Sequence, residues 1–352
     1  MATSLTRVGT SLTPFERLAA RTRIPFWALC LALPLLMGFP AQYFSTYAAT
    51  GSLDQAFKFT FMTGFSATTA VETPVVLGVA SQVIYAASFG LVTYLPRFMR
   101  SKLESYEKDL APLTPGGSES LRAMFGGIYR LKPMLIVSLI VGVAGAQYAY
   151  AILQTVPGPT MVVYVVVSNL VTDLVFGGFV WAYLGTLWAL YRLGKEDLNL
   201  QPVERDPMLG MRPIGSMSFT LFLSYMAVIT FIGIGSVLVP DPVSIGAIVL
   251  LELAGAVMLF LPLNSVHKKM LAKKRSERQK LAESIFSVSS GSDTNSLLND
   301  IKQVHVFQVR REIVAAAPTW PFDTGVLGRF AAIILSVLAI LLSRVISGTL
   351  HI

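Results

Sequence analysis

The sequence predicts an all-α protein: a polytopic transmembrane helix bundle of about seven spans with a small cytoplasmic helical extension. Two observations predict it. Hydrophobic residues make up 53% of the chain and charged residues only 14%, a balance that would leave large apolar patches on a water-facing surface. Several stretches also run for about 20 apolar residues without a charge, which is what a helix rising 1.5 Å per residue needs to cross a hydrocarbon core of about 30 Å. A membrane β-barrel would instead show strands of about 10 residues alternating apolar and polar, and no such alternation is present.

Residues 1–23 read as a cytoplasmic segment with an interfacial helix. The first dozen residues are small and polar and read as disordered. Thr13-Pro14-Phe15-Glu16 then has the form of a helix start, with threonine as N-cap, proline at the first helical position and glutamate closing a capping box. Phe15, Leu18 and Ala19 beside Arg17, Arg21 and Arg23 suit a helix lying at a membrane surface.

Spans are expected at 24–40, 74–96, 133–155, 160–191, 216–239, 242–263 and 324–347, which makes 24–263 a six-span core. No clear small-residue cleavage site follows Phe39-Pro40, so the first span reads as a retained signal anchor and not as a signal peptide. Between spans one and two, Ala56 to Ala70 is rich in phenylalanine and threonine; both a re-entrant loop and a helix at the interface fit it. Residues 97–110 should continue the second span as helix until Pro115-Gly116-Gly117 breaks it. The sixth span leaves through Leu261-Pro262-Leu263 into a basic helix reaching Phe286. A Ser/Gly-rich joint at 287–296 and a second amphipathic helix carrying Leu298, Ile301, Phe307 and Ile313 complete a cytoplasmic basic hairpin over 264–323. Trp320-Pro321-Phe322-Asp323 closes that unit, and 324–352 forms the last span with a short outside tail.

Charge fixes the orientation. Of 28 lysines and arginines, 25 fall in the segments 1–23, 97–132, 192–215 and 264–323, which lie on one side of an odd-numbered bundle. The positive-inside rule places that side, with the amino terminus, in the cytoplasm of a cell membrane and the carboxyl terminus outside. The net charge of +8 therefore reports topology and contact with anionic lipid head groups, not nucleic-acid binding. Lys268, Lys269, Lys273, Lys274 and Arg275, just past the sixth span, are the candidate lipid contacts.

Acids inside spans are costly and mark candidate sites. Asp173 in the fourth span and Glu252 in the sixth lie roughly 28 Å and 22 Å from their cytoplasmic exits, and Gln147 in the third roughly 22 Å, at 1.5 Å per residue. Asn169, Asp173 and Gly177 share one helix face by their spacing of four. A layer of Asp173, Glu252, Asn169 and Gln147 is the expected pathway for an ion or a proton in a channel or secondary transporter. Two other readings stand beside it. The acids can be protonated links between helices, and the protein a membrane sensor or scaffold acting through 264–323.

Enzymatic chemistry is not expected. Phosphate loops, zinc-protease helices and nucleophile elbows are absent. The three histidines, His267, His305 and His351, are too far apart for an obvious metal site, and no span holds the lysine a retinal Schiff base requires. The single cysteine, Cys30, has no disulfide partner and reads as a packing residue. No cofactor is implied, and a homo-oligomer is compatible with the sequence.

Overall fold

A computed structural model describes residues 12–61, 75–154, 158–238, 242–290, 297–322 and part of 325–339. Eleven helices are defined there: α1 Pro14–Thr22, α2 Phe26–Met37, α3 Phe39–Thr50, α4 Leu53–Phe61, α5 Val75–Leu110, α6 Gly117–Phe125, α7 Leu131–Leu153, α8 Gly158–Lys195, α9 Arg212–Leu238, α10 Pro242–Ser290 and α11 Leu297–Ala316. No strand occurs among the described residues. Among the described residues four helical stretches are long and apolar enough to cross a membrane: Phe26–Thr50, Gly158–Lys195, Arg212–Gly233 and Ile248–Phe286. The apolar part of α7, Leu131–Gln147, is shorter.

The core is built by α5, α8, α9 and α10. Helix α5 packs on α2, α8 and α9; α8 packs on α3, α7 and α10; and α9 fits between α5 and α10. Phe89, Val92, Leu190, Leu193, Met217, Phe222 and Leu263 are buried where these helices meet. Outward faces stay apolar: Leu139, Ile140 and Val143 on α7, Val163 and Leu170 on α8, and Leu250, Leu253 and Val257 on α10 are all exposed. An apolar girdle of this kind is costly in water and is what lipid tails cover.

Two boundaries differ from the sequence reading, the end of the first span and the joint after the basic helix. The first span does not stop near Pro40. The chain bends at Gly38 (φ −86°, ψ −122°) and resumes as α3, with Pro40 in its first turn. The hydroxyls of Thr46 and Thr50 donate within that helix, to the carbonyls of Gln42 and Thr46. Ala56–Phe61 of the candidate re-entrant segment is helical, in α4; its remainder lies outside the described residues. Helix α10 is a single element of 49 residues with Pro262 inside it, so membrane span and basic helix form one rod with no joint before Ser290. The amino-terminal 11 residues, positions 291–296 and most of the last expected span lie outside the described residues.

The start of α1 is as the sequence predicts. Thr13 Oγ1 accepts the Glu16 N–H (3.2 Å), and Glu16 Oε2 accepts the Thr13 N–H (3.0 Å). The same glutamate does more: Arg100 on α5, 84 residues away, donates to its Oε1 at 2.7 Å. Cys30 is buried beside Ala19, Phe26 and Leu29, the packing role expected of it.

Candidate functional site

Glu252 is a carboxylic acid within the apolar part of α10. It is 0% exposed, and neither carboxyl oxygen has a hydrogen-bond partner among the described residues. Its face of α10 looks at α9, because Gly255, one turn on, is where the Tyr225 ring sits: a Cβ at Gly255 would lie 2.6 Å from Tyr225 Cε1. The Tyr225 hydroxyl donates to the Leu251 carbonyl (2.8 Å). Its ring stacks on Tyr183 of α8 at 5.2 Å and 25°, and the Tyr183 hydroxyl is buried with no partner among the described residues.

These three side chains share a level. Counting about 1.5 Å per residue from Lys195, Arg212 and His267, Tyr183 lies roughly 18 Å in, Tyr225 roughly 20 Å and Glu252 roughly 22 Å. A buried, unpartnered carboxyl costs several kcal/mol as an anion unless a proton or a cation neutralises it. Two phenol rings and one acid therefore make a compact place to accept such a charge.

The other residues of the expected layer are elsewhere. Asn169, Asp173 and Gly177 do share a face of α8, and that face meets α7. A Cβ at Gly142 would lie 2.8 Å from Asp173 Oδ2, and one at Gly177 would overlap Ser138. Asn169 spends its amide on its own helix, donating to the Val165 carbonyl (2.8 Å). Gln147 is exposed.

Register explains why counting from charged helix ends misplaced Asp173. Helices α8 and α10 each pack on α9, with Tyr225 beside both Tyr183 and Gly255. Gly194 of α8 in turn lies against Ser265 and Val266 of α10. The two run parallel in that register, so Glu252 falls level with Trp181 and Asp173 sits eight residues, about 12 Å, further along. Tyr183 and Tyr225 escaped the sequence reading because tyrosines are frequent in apolar helices. Their matched depth was the one signal that could have found them.

No family model, curated protein or solved structure matches this chain. Its chemistry is therefore read from its own residues.

The five basic candidates past the sixth span divide. Lys269 donates to the Glu196 carbonyl at the end of α8, and Lys274 donates to the carbonyls of Ala315 and Ala317 at the end of α11. Lys273 pairs with Glu277 at 3.1 Å. Lys268 and Arg275 are exposed. Ammonium groups at helix carboxyl ends meet unpaired carbonyls and the negative end of the dipole, which is why these lysines turn inward. Burial holds Lys269 below the usual ammonium range against the opposing pull of Asp197 and Glu196. Burial, then the neighbouring Arg278, does the same to Lys274.

His267 and Trp320 close the base of the hairpin. Their rings stack at 4.2 Å, and His267 Nδ1 is 2.7 Å from the Thr319 carbonyl. Lys274→Met is expected to raise amide exchange over residues 310–317 about fivefold, as a helix-end contribution of about 1 kcal/mol is lost. Hydrogen–deuterium exchange measured by mass spectrometry checks it, with α9 as the internal reference.

Proposed function

We propose that this chain is a multi-pass membrane protein of about seven spans, amino terminus in the cytoplasm and carboxyl terminus outside, that passes a proton or small cation across the bilayer through the Glu252–Tyr225–Tyr183 layer. The observation that carries this reading is the carboxyl of Glu252, wholly buried within the apolar part of α10 with both oxygens unpartnered among the described residues. The apolar girdle and the distribution of basic residues support the topology. Glu252 is wholly buried and lines neither the crevice beside Thr93, Tyr129 and Trp181 nor the one beside Leu103, Leu110 and Phe125. The arrangement corresponds to a closed state, in which the layer is sealed and helices must shift for the charge to enter or leave.

Flux in liposomes containing a pH-sensitive dye tests it. Glu252→Gln keeps the size and removes the acid, and is expected to reduce proton or cation flux about tenfold or more, while Glu252→Asp retains part of it. Undiminished flux in Glu252→Gln, with the variant folded, would sink the proposal.

One observation favours a second reading, a sensor or scaffold acting through the hairpin. Helix α10 extends about 35 Å past His267, α11 folds back along it, and Phe286, Val306 and Val309 stay exposed there. On that reading deletion of 287–316 abolishes function and Glu252→Gln does not.

A further inference from the structure

A second charged cluster lies where α1 meets the start of α2 and the interior of α5 at Arg97 and Arg100, and it is unbalanced. Glu16, with its side chain 5% exposed, faces two guanidinium groups: Arg100 NH2 at 2.7 Å and Arg97 Nε at 3.8 Å. Its other oxygen is taken by the Thr13 N–H and hydroxyl. One acid therefore serves two cations, and the buried Arg100 Nε has no acceptor among the described residues. Among the described residues Arg97 makes one ion pair, the long contact to Glu16; it keeps its side chain 46% exposed and lies 4.8 Å over the Phe26 ring.

What surrounds Arg97 indicates the anion. Tyr94 and Phe98 on α5 stack at 6.4 Å, Phe26 lies 6.4 Å from Tyr94, and Lys102 sits 5.7 Å over Phe98. Trp27, next in sequence to Phe26, is 65% exposed, and Leu31 one turn further along α2 is exposed too. Aromatic and aliphatic surface thus lies on the span side of Arg97, with Arg17, Arg21 and Arg23 exposed along α1. Aromatic rings at the head-group level, alkyl surface beneath and spare guanidinium at the boundary form a phospholipid-shaped site. A guanidinium is suited to a phosphodiester because it can donate two parallel hydrogen bonds.

We propose that Arg97, with Arg100 behind it, binds the phosphate of an anionic phospholipid in the leaflet on the α1 side, its acyl chain lying along Trp27, Leu31 and Tyr94. The site is independent of the Glu252 layer.

The test is native mass spectrometry of the full chain in detergent, titrated with phosphatidylglycerol, phosphatidylcholine or inorganic phosphate. The wild-type chain should retain one phosphatidylglycerol in preference to phosphatidylcholine. Arg97→Gln should lower its occupancy about tenfold, with Arg97→Lys in between. A Lys268→Gln, Arg275→Gln double variant should retain the lipid as the wild type does. Arg97 is half-exposed, so an unchanged thermal midpoint in Arg97→Gln shows that binding and not folding was altered. Unchanged retention in Arg97→Gln overturns the proposal, and displacement of the lipid by inorganic phosphate overturns the assignment to a lipid.

Discussion

Glu16→Leu lowers the stability of the protein by about 3–5 kcal/mol, because it leaves the Arg100 guanidinium buried without its counter-charge. Arg100 is itself buried and gives its one short ion pair to Glu16, at 2.7 Å. The loss also removes half of the α1 capping box, which adds about 1 kcal/mol. Unfolding followed by tryptophan fluorescence in mixed micelles measures the effect. The diagnostic comparison is Glu16→Leu with Arg100→Met: an apolar pair of similar volume should recover most of the loss, since the penalty comes from the stranded charge and not from missing attraction. If the double variant is as unstable as Glu16→Leu alone, the pair does not hold α1 to α5 electrostatically.

Gly177→Val is the second large effect. The α7–α8 contact is close-packed at this point, and even a first side-chain carbon at Gly177 would overlap the backbone and hydroxyl of Ser138. Both positions are buried in rigid helix, so relief requires α7 to move away from α8. Overpacking of this kind costs about 1–3 kcal/mol, and more where backbone meets backbone. Gly145→Ala on α7 is the control, since nothing lies within 4 Å of a Cβ placed there, and it should leave the unfolding midpoint unchanged. Ser138→Gly in the Gly177→Val background should restore part of the loss, which a cause unrelated to this contact would not allow.

The parts of this fold legible in the sequence are those set by local chemistry. The extents of α8 and α9 followed from runs of apolar residues, and the start of α1 from Thr13 and Glu16, because capping is settled within four residues. The basic continuation of α10 was equally plain. What stayed hidden depends on partners far apart in the chain. No local signal shows that Glu16 meets Arg100 or that Gly194 sets α8 against Ser265. The last of these mattered most for the site: depth counted from charged helix ends put Asp173 and Glu252 in one layer, whereas the packing register separates them by about 12 Å. Glu252 was found by its type and position, and its tyrosine neighbours only by the packing of three helices.

Helix α10 also has mechanical leverage. Gly194 and Ser265 touch closely enough to serve as a fulcrum, with the acid about 20 Å to one side and the hairpin tip at Ser290 about 38 Å to the other. Rocking about that point swings the two ends oppositely, and the tip travels nearly twice as far. Whatever grips the tip would therefore work against the buried carboxyl with that advantage, and an ångström of slack admitted at Glu252 would appear at the tip as almost two.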